Sequence, residues 1–589
     1  MDRDIVYIIW CQTHYDQAHE DNLTPHMELQ IPELKKPGMG TFKTGTGAVR
    51  QWIENLPLTN VDKTITLIEG ALDEINGYIL PNAERFEALE LFARPVAHIN
   101  DSLKKKYLGR PIPVKGSALV HAQKAIDICL RMATGYKILA AILDRAGEAG
   151  PQMATAIQRA IRYYSEILIS NYQTYAQFPT GIWGDLHALY VLAEKHGLAT
   201  HAVTDITTQH EITATLEDIY KQILLLSLAC PYRLRQNEIR QVYDLLSVWA
   251  PHSKLLNSDT GDTGGFFACQ LDTDEPPSYK ALQQTERADS HCKLLSTRDM
   301  ADPVNATLSE YRSARQHLGL PEEKTLQRLL MSWGVMPKRR FTRHRQDDEV
   351  RLLLGLENIH GVIAGPSNST ETGRDSEDHT IRDNAYLRDP TFEQSTSFDV
   401  DWLTGIDASP NGQAKDAARN QAHPGSVIRT PDKSPIEIWK LQDSSAGGYS
   451  LLWDTDTTSG AQVGELVAIN TKAENDENRW HLGVIRWMKS TRQQGLEMGI
   501  QMLAPGACAI QATICNEKSS VENKMNGILL PEIKALNQPA TLLLPSLPFR
   551  VGCTTALQQE KIEERIKLTQ QLENTGCFAQ FLFAPAEDA

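Results

Sequence analysis

The sequence predicts a multidomain α+β protein: a helical N-terminal bundle or solenoid-like region, then a small antiparallel β-barrel, then a β-rich C-terminal extension. Three observations predict it. At 589 residues the chain exceeds the size at which a single hydrophobic core keeps growing. Apolar residues recur at spacings of three and four through roughly residues 60–250, the period of amphipathic helices. From residue 436 onward, short apolar runs bounded by glycine and polar turns replace that period.

Residues 1–59 read as a mixed segment. Its apolar stretch Ile5 to Cys11 follows two acids and is too short for a signal or spanning segment. A helical domain is expected over 60–255. In VDKTITLIEGALDEI, the residues Val61, Ile65, Ile68, Ala71, Leu72 and Ile75 form one stripe. Asn82 is placed as the cap of the following helix, Ser117 as the cap of another, and Pro151 in the first turn of a third. Segments 151–177, 181–197, 211–229 and 237–250 continue as helices, in an order that suggests antiparallel pairs. No clean 34-residue repeat is present.

A mixed connector at 256–336 carries one strand-like run, GGFFACQLD, and two helices around NATLSEYRSARQHLG and EEKTLQRLLMSW. The small barrel is assigned to 337–510, with VRLLLGLENIHGVI (350–363) read as a strand and 364–435 as a polar, flexible insertion. IEIWKL, YSLLW, LVAIN, HLGVIRWM and LEMGIQML supply its further strands. Residues 511–589 form the β-rich C-terminal domain, with ATLLLPSLPFRVG and CFAQFLF flanking a charged segment.

The formal net charge of -15 and pI near 5.6 argue against nucleic-acid or anionic-membrane binding by the whole surface, so any anion site must be local. Nine scattered cysteines without a CxxC pair favour reduced thiols in a cytoplasmic protein over a disulfide frame or a zinc site. One local concentration of positive charge stands out: Lys338, Arg339, Arg340, Arg343 and Arg345 fall within eight residues, just ahead of a strand.

That arm contains Arg339-x-x-x-Arg343. A second motif, Asp443-Ser444-Ser445-Ala446-Gly447-Gly448, has the form D-x-S-x-x-G between two strands, and the strands LGVIRWM and LEMGIQML follow. Together these resemble the PilZ domain, a bacterial receptor module for cyclic di-GMP, over roughly residues 337–361 and 436–505. The spacing suits that ligand. Cyclic di-GMP carries two phosphates and two guanines, and a guanidinium fork engages a phosphate or the guanine O6/N7 edge in bidentate fashion.

The resemblance implies that Arg339, Arg343, Asp443, Ser445 and Gly448 bind cyclic di-GMP. Asp443 would accept from guanine N1 and N2, Ser445 would add a small polar contact, and Gly448 would allow close backbone approach or a positive φ. Arg340, Arg345, Arg486 and Trp487 are secondary candidates for cationic or stacking contacts. The chain departs from the family in one respect: Arg343 and Asp443 lie a hundred positions apart. Loop-closure entropy grows logarithmically, so a fourfold longer loop costs only about 1.2 kcal/mol.

Each feature also has a plain reading. The arginine run by itself is a solvated linker or a docking patch for an acidic partner, and Asp443, Ser445 and Gly448 by themselves are hairpin-turn residues. No catalytic or metal constellation emerges. DTGDTGG (259–265) lacks the second, distant copy that an aspartic protease needs. KTGTGAVRQW (43–52) lacks the P-loop layout, and neither His210-Glu211 nor His14 with His19 has helical metal spacing. The expectation is therefore a cyclic di-GMP effector, without enzymatic activity or cofactor, that engages a protein partner through its helical region. The competing expectation is a scaffold protein with a degenerate, non-binding barrel.

Overall fold

The computed structural model describes residues 29–38, 42–205, 212–257, 266–279, 291–313, 323–334, 344–365, 436–445, 447–471, 480–491, 495–515, 524–532, 538–559 and 562–586. The chain forms two compact units: Met1–Lys338 with Lys489–Gln494, and Arg339–Met488 with Gly495–Ala589.

Among the described residues before 250, the first unit is built on eight α-helices: α1 (Thr46–Glu54), α2 (Val61–Gly77), α3 (Asn82–Tyr107), α4 (Gly116–Ala146), α5 (Pro151–Gln173), α6 (Ile182–Lys195), α7 (Leu216–Leu228) and α8 (Gln236–Trp249). The expected stripe of α2 is buried at Ile65, Ile68, Ala71, Leu72 and Ile75. Asn60 caps this helix by accepting from the Lys63 amide at 3.1 Å. Two expected caps are displaced. Pro81 occupies the cap position with Asn82 already inside α3, and Lys115 precedes α4, which puts Ser117 in its first turn. Pro151 does open α5, where its missing N–H leaves nothing unsatisfied.

Helix α5 is buried on nearly every side, which makes it the centre of this unit. Its charged residues are accordingly paired. Arg159 meets Glu90 at 3.0 Å, and Glu166 lies between Lys104 (2.8 Å) and Arg240 (2.5 Å). Burial alone would raise the Glu166 carboxyl, but the Arg240 and Lys104 charges hold it well below the usual carboxylate range.

The helix expected from residue 211 begins only at Leu216. Ile212–Thr215 instead forms strand β2, paired with β1 (Ala202–Asp205). Three of those four residues are β-branched, which favours extended backbone, and Thr215 then caps α7 by accepting from the Asp218 amide at 3.1 Å. Beyond α8, strands β3 (Lys254–Leu256), β4 (Phe266–Gln270), β5 (Ser278–Tyr279) and β6 (Cys292–Ser296) form a sheet in the order β3-β6-β4-β5. Only β4 was expected. Helices α9 (Ala301–Ser313) and α10 (Glu323–Ser332) follow as the sequence indicated.

The second unit holds two closed six-stranded antiparallel barrels. The first, in the order β10-β11-β12-β9-β8-β7, comprises β7 (His344–Leu354), β8 (Ile436–Ser445), β9 (Gly448–Trp453), β10 (Leu466–Thr471), β11 (His481–Ser490) and β12 (Leu496–Ala504). The run 350–363 is not one strand. Gly355, at φ +83°, ends β7, and helix α11 (Leu356–Ile363) follows, burying Leu356 and Ile359. Most of the expected insertion, 366–435, lies outside the described residues.

The second barrel, in the order β13-β14-β15-β18-β17-β16, comprises β13 (Cys508–Ile514), β14 (Met525–Leu530), β15 (Thr541–Leu544), β16 (Thr554–Gln559), β17 (Ile562–Asn574) and β18 (Ala579–Pro585). The charged segment expected to separate two strand-rich runs is itself the strand pair β16–β17. The barrels share one core, in which Leu353, Ile359, Leu482 and Val484 pack with Ile528, Leu543 and Phe578. Among the described residues no helix is long and apolar enough to cross a membrane.

A buried histidine in the first unit makes folding pH-dependent. His187 Nε2 lies 2.9 Å from the Glu275 carbonyl, which only accepts, so Nε2 carries the proton and Nδ1 accepts from the Tyr220 hydroxyl at 2.6 Å. Burial lowers its pKa from 6.5 to about 4. Between those values the unfolded chain takes up a proton that the folded chain does not, so stability falls as pH drops through this window. Denaturant titrations from pH 7 to 4 should show a loss of up to about 3 kcal/mol from this group, and a shallower slope in His187→Gln. An unchanged slope in the variant would contradict the assignment.

Candidate functional site

The D-x-S-x-x-G motif is the β8–β9 hairpin. Asp443 and Ser445 occupy the end of β8, and Gly448 opens β9 as the Cα partner of Ser445. The Ser445 hydroxyl donates to the Gly448 carbonyl at 3.3 Å, which closes the turn. Asp443 and Ser445 are half-buried and Gly448 is buried.

Gly448 is required by its other neighbour. Across β9–β12 it is the Cα partner of Gln501, and at φ +158° a Cβ at this position would collide with the Ile500 carbonyl. The Met502 amide donates to Gly447 at 3.1 Å and holds the turn against the same strand.

On its other side β8 pairs with β7. His344 is the Cα partner of Ser444 and Arg345 of Asp443, so the first described residues of the basic arm run beside the motif. The ladder is irregular there. Register shifts fall between Arg345 and Asp348 against β8, and between Leu441 and Asp443 against β9. Such bulges bend a strand and re-aim its side chains. Residues 344–349 are all exposed, whereas Val350, Leu352 and Leu353 beyond them are buried. Half of β7 thus projects past the packed body of the barrel beside the hairpin. Arg339, Arg340 and Arg343 lie outside the described residues; Arg343 immediately precedes His344 in sequence.

The two secondary candidates on β11 have protein partners. Arg486 donates from Nε to Gln501 Oε1 at 2.7 Å and from both terminal nitrogens to the Glu573 carboxylate on β17, one of them at 3.0 Å. Trp487 lies where a Cβ at Gly499 would overlap its indole ring. Its ring is therefore seated on β12.

Gln501, Ile500 and Glu573 were not singled out from the sequence. Gly483 and Gly499 carried a usable signal, since glycine inside a strand marks close approach of backbone or a bulky side chain. Nothing in the order of residues points from Arg486 to Glu573, 87 positions away. Among the described residues no group of three or more His, Cys, Asp or Glu side chains converges as a metal site.

Comparison with known proteins adds three adjoining matches. The family model described as "Cyclic-di-GMP receptor FimW, N-terminal domain" matches residues 47–259, that of the "middle PilZ domain" matches 266–508, and that of the "FimW C-terminal beta-barrel domain" matches 508–586. A relative from Pseudomonas aeruginosa, the cyclic-di-GMP receptor FimW, is 28% identical over 96% of this chain and 95% of its own length. No solved structure matches the chain.

The contact at Gly448 is testable by itself. Gly448→Ala should lower the free energy of unfolding of the barrel unit by about 1–3 kcal/mol, because the new methyl group meets backbone that has little room to move. Denaturant titration measures this, and a neutral effect would mean that β9 and β12 separate easily at this point.

Proposed function

We propose that this chain, which belongs to the PilZ-domain family and follows the three-part pattern of its receptor relative, is a cytoplasmic cyclic di-GMP-binding effector. We place the ligand site in the 337–510 domain, which in sequence follows a helical domain at 60–255 and a connector at 256–336 and precedes the β-rich domain at 511–589. The observation that carries the reading is the register of β7 against β8, in which His344 and Arg345 run beside Ser444 and Asp443. The pairing brings the downstream end of the basic arm to the D-x-S-x-x-G hairpin despite the hundred residues between them. The name and full-length coverage of the Pseudomonas relative support the same ligand.

In this reading Arg339 and Arg343 engage phosphate and guanine as bidentate forks. Asp443 accepts from guanine N1 and N2, and Ser445, small and on the same strand, leaves room for the base. Gly448 keeps the hairpin flat against β12, so that the base meets a surface free of side chain at that point. Arg340 and Arg345 add positive charge along the arm. A site of micromolar affinity supplies about 8 kcal/mol at standard state, of which only the part that differs between two states can bias a conformation. The output we propose is a closing of arm 337–345 on the ligand that alters the arrangement of the helical region and its binding of a protein partner. The chemistry is binding without turnover.

Calorimetric titration of the full chain with cyclic di-GMP tests the site. Arg339→Ala, Arg343→Ala and Asp443→Ala should each weaken binding by about 1–3 kcal/mol, roughly 5- to 150-fold. Affinity equal to that of the unaltered chain in all three would rule the site out, and no binding by the unaltered chain would rule out the function.

A further inference from the structure

The Ile500–Gln501 segment of β12 is held from two sides by glycine. Gly448 faces the Ile500 carbonyl, and on β11 a Cβ at Gly483 would come within 2.5 Å of Ile500 Cγ2 and 2.8 Å of the Gln501 carbonyl oxygen. Any shift of this segment therefore moves the strand that carries Gly448. The side chain of Gln501 is tied in turn to the second barrel: it accepts from Arg486 Nε at 2.7 Å, and the Arg486 fork closes on the Glu573 carboxylate. Glu573 sits beside a register shift in β17, between Gln571 and Glu573, so the bulge is where that strand turns its acid onto the first barrel. The pair is partly shielded, with side-chain exposures of 26% and 17%, and a bidentate guanidinium–carboxylate contact fixes direction as well as distance.

We propose that Arg486, Gln501 and Glu573 are positioning residues for the nucleotide site, and that the second barrel sets the affinity of the first by bracing the strand under the Gly448 hairpin. This rests on the function proposed above. Arg486 accordingly serves the ligand from behind: its charge is matched by Glu573, and its contact with Gln501 holds the backbone that Gly448 packs upon. The second barrel thereby gains a role that its closed topology does not by itself imply.

Two readouts on the full chain test this. In the nucleotide-free protein, Glu573→Gln should speed amide hydrogen exchange in the hairpin, residues 443–450. In calorimetry with cyclic di-GMP the same variant should bind about 3- to 30-fold more weakly, with partial recovery in the charge-exchanged Arg486→Glu/Glu573→Arg double variant. Asn526→Ala is the control. It removes a different link in the second unit, the 2.6 Å contact of Asn526 with Glu357, and should lower the melting temperature without changing nucleotide affinity or hairpin exchange.

If the unaltered chain binds and Glu573→Gln changes neither hairpin exchange nor affinity, the brace is wrong and the site stands. If the unaltered chain does not bind but hairpin exchange rises in the variant, the functional reading fails while the brace survives. A gain of affinity in Glu573→Gln would mean that the released arginine contacts nucleotide directly, which overturns the positioning role.

Discussion

The approach of β9 to β12 at Gly448 is the constraint on which the candidate site depends. Only a residue without a side chain allows the hairpin to lie on the Ile500 carbonyl, and only that seating fixes where Asp443 and Ser445 stand. The bulges on β7 and β8 then adjust the neighbouring ladder so that Arg345 runs beside Asp443. Each step is backbone geometry, which is stiffer than any arrangement of long surface side chains and better suited to holding a binding surface before the ligand arrives.

The two units solve burial differently. In the helical unit the central helix carries charge into the interior, and each charge finds a partner: Glu166 has two cations and Arg159 has Glu90. Removing one member of such a group would leave its partners buried without compensation, so these residues stand or fall together. The barrels rely on apolar packing, aliphatic and aromatic. Closure leaves neither barrel an open edge, and the core common to Leu482, Val484, Ile528, Leu543 and Phe578 makes the junction part of the fold rather than a loose contact.

How much was legible in the sequence followed the strength of local pattern. The stripe of α2, the proline that opens α5 and the strands of the first barrel were readable because burial imposes a period that survives in the order of residues. The run 350–363 was misread because its apolar density hides a change of period. Gly355 breaks the strand, and Leu356, Ile359 and Ile363 already stand three and four apart, as a helix requires. Strand β17 was missed for the opposite reason: of residues 562–571 only Ile566 and Leu568 are buried, so its sequence looks like a charged loop. Chemistry and spacing singled out the motif residues, of which Asp443, Ser445 and Gly448 share the β8–β9 hairpin. The Arg486–Glu573 contact was not legible, because it exists only once two barrels have closed and met.

An arginine arm and an acidic hairpin, far apart in sequence, are proposed to form one surface for a cyclic dinucleotide. A crystal structure of the full chain with cyclic di-GMP should then show the guanidinium groups of Arg339 and Arg343 on the ligand's phosphates or guanine edges, with the Asp443 carboxylate on a guanine N1–H and N2–H. A ligand seated elsewhere, or arm arginines turned away from the β8–β9 hairpin with the nucleotide bound, would contradict it.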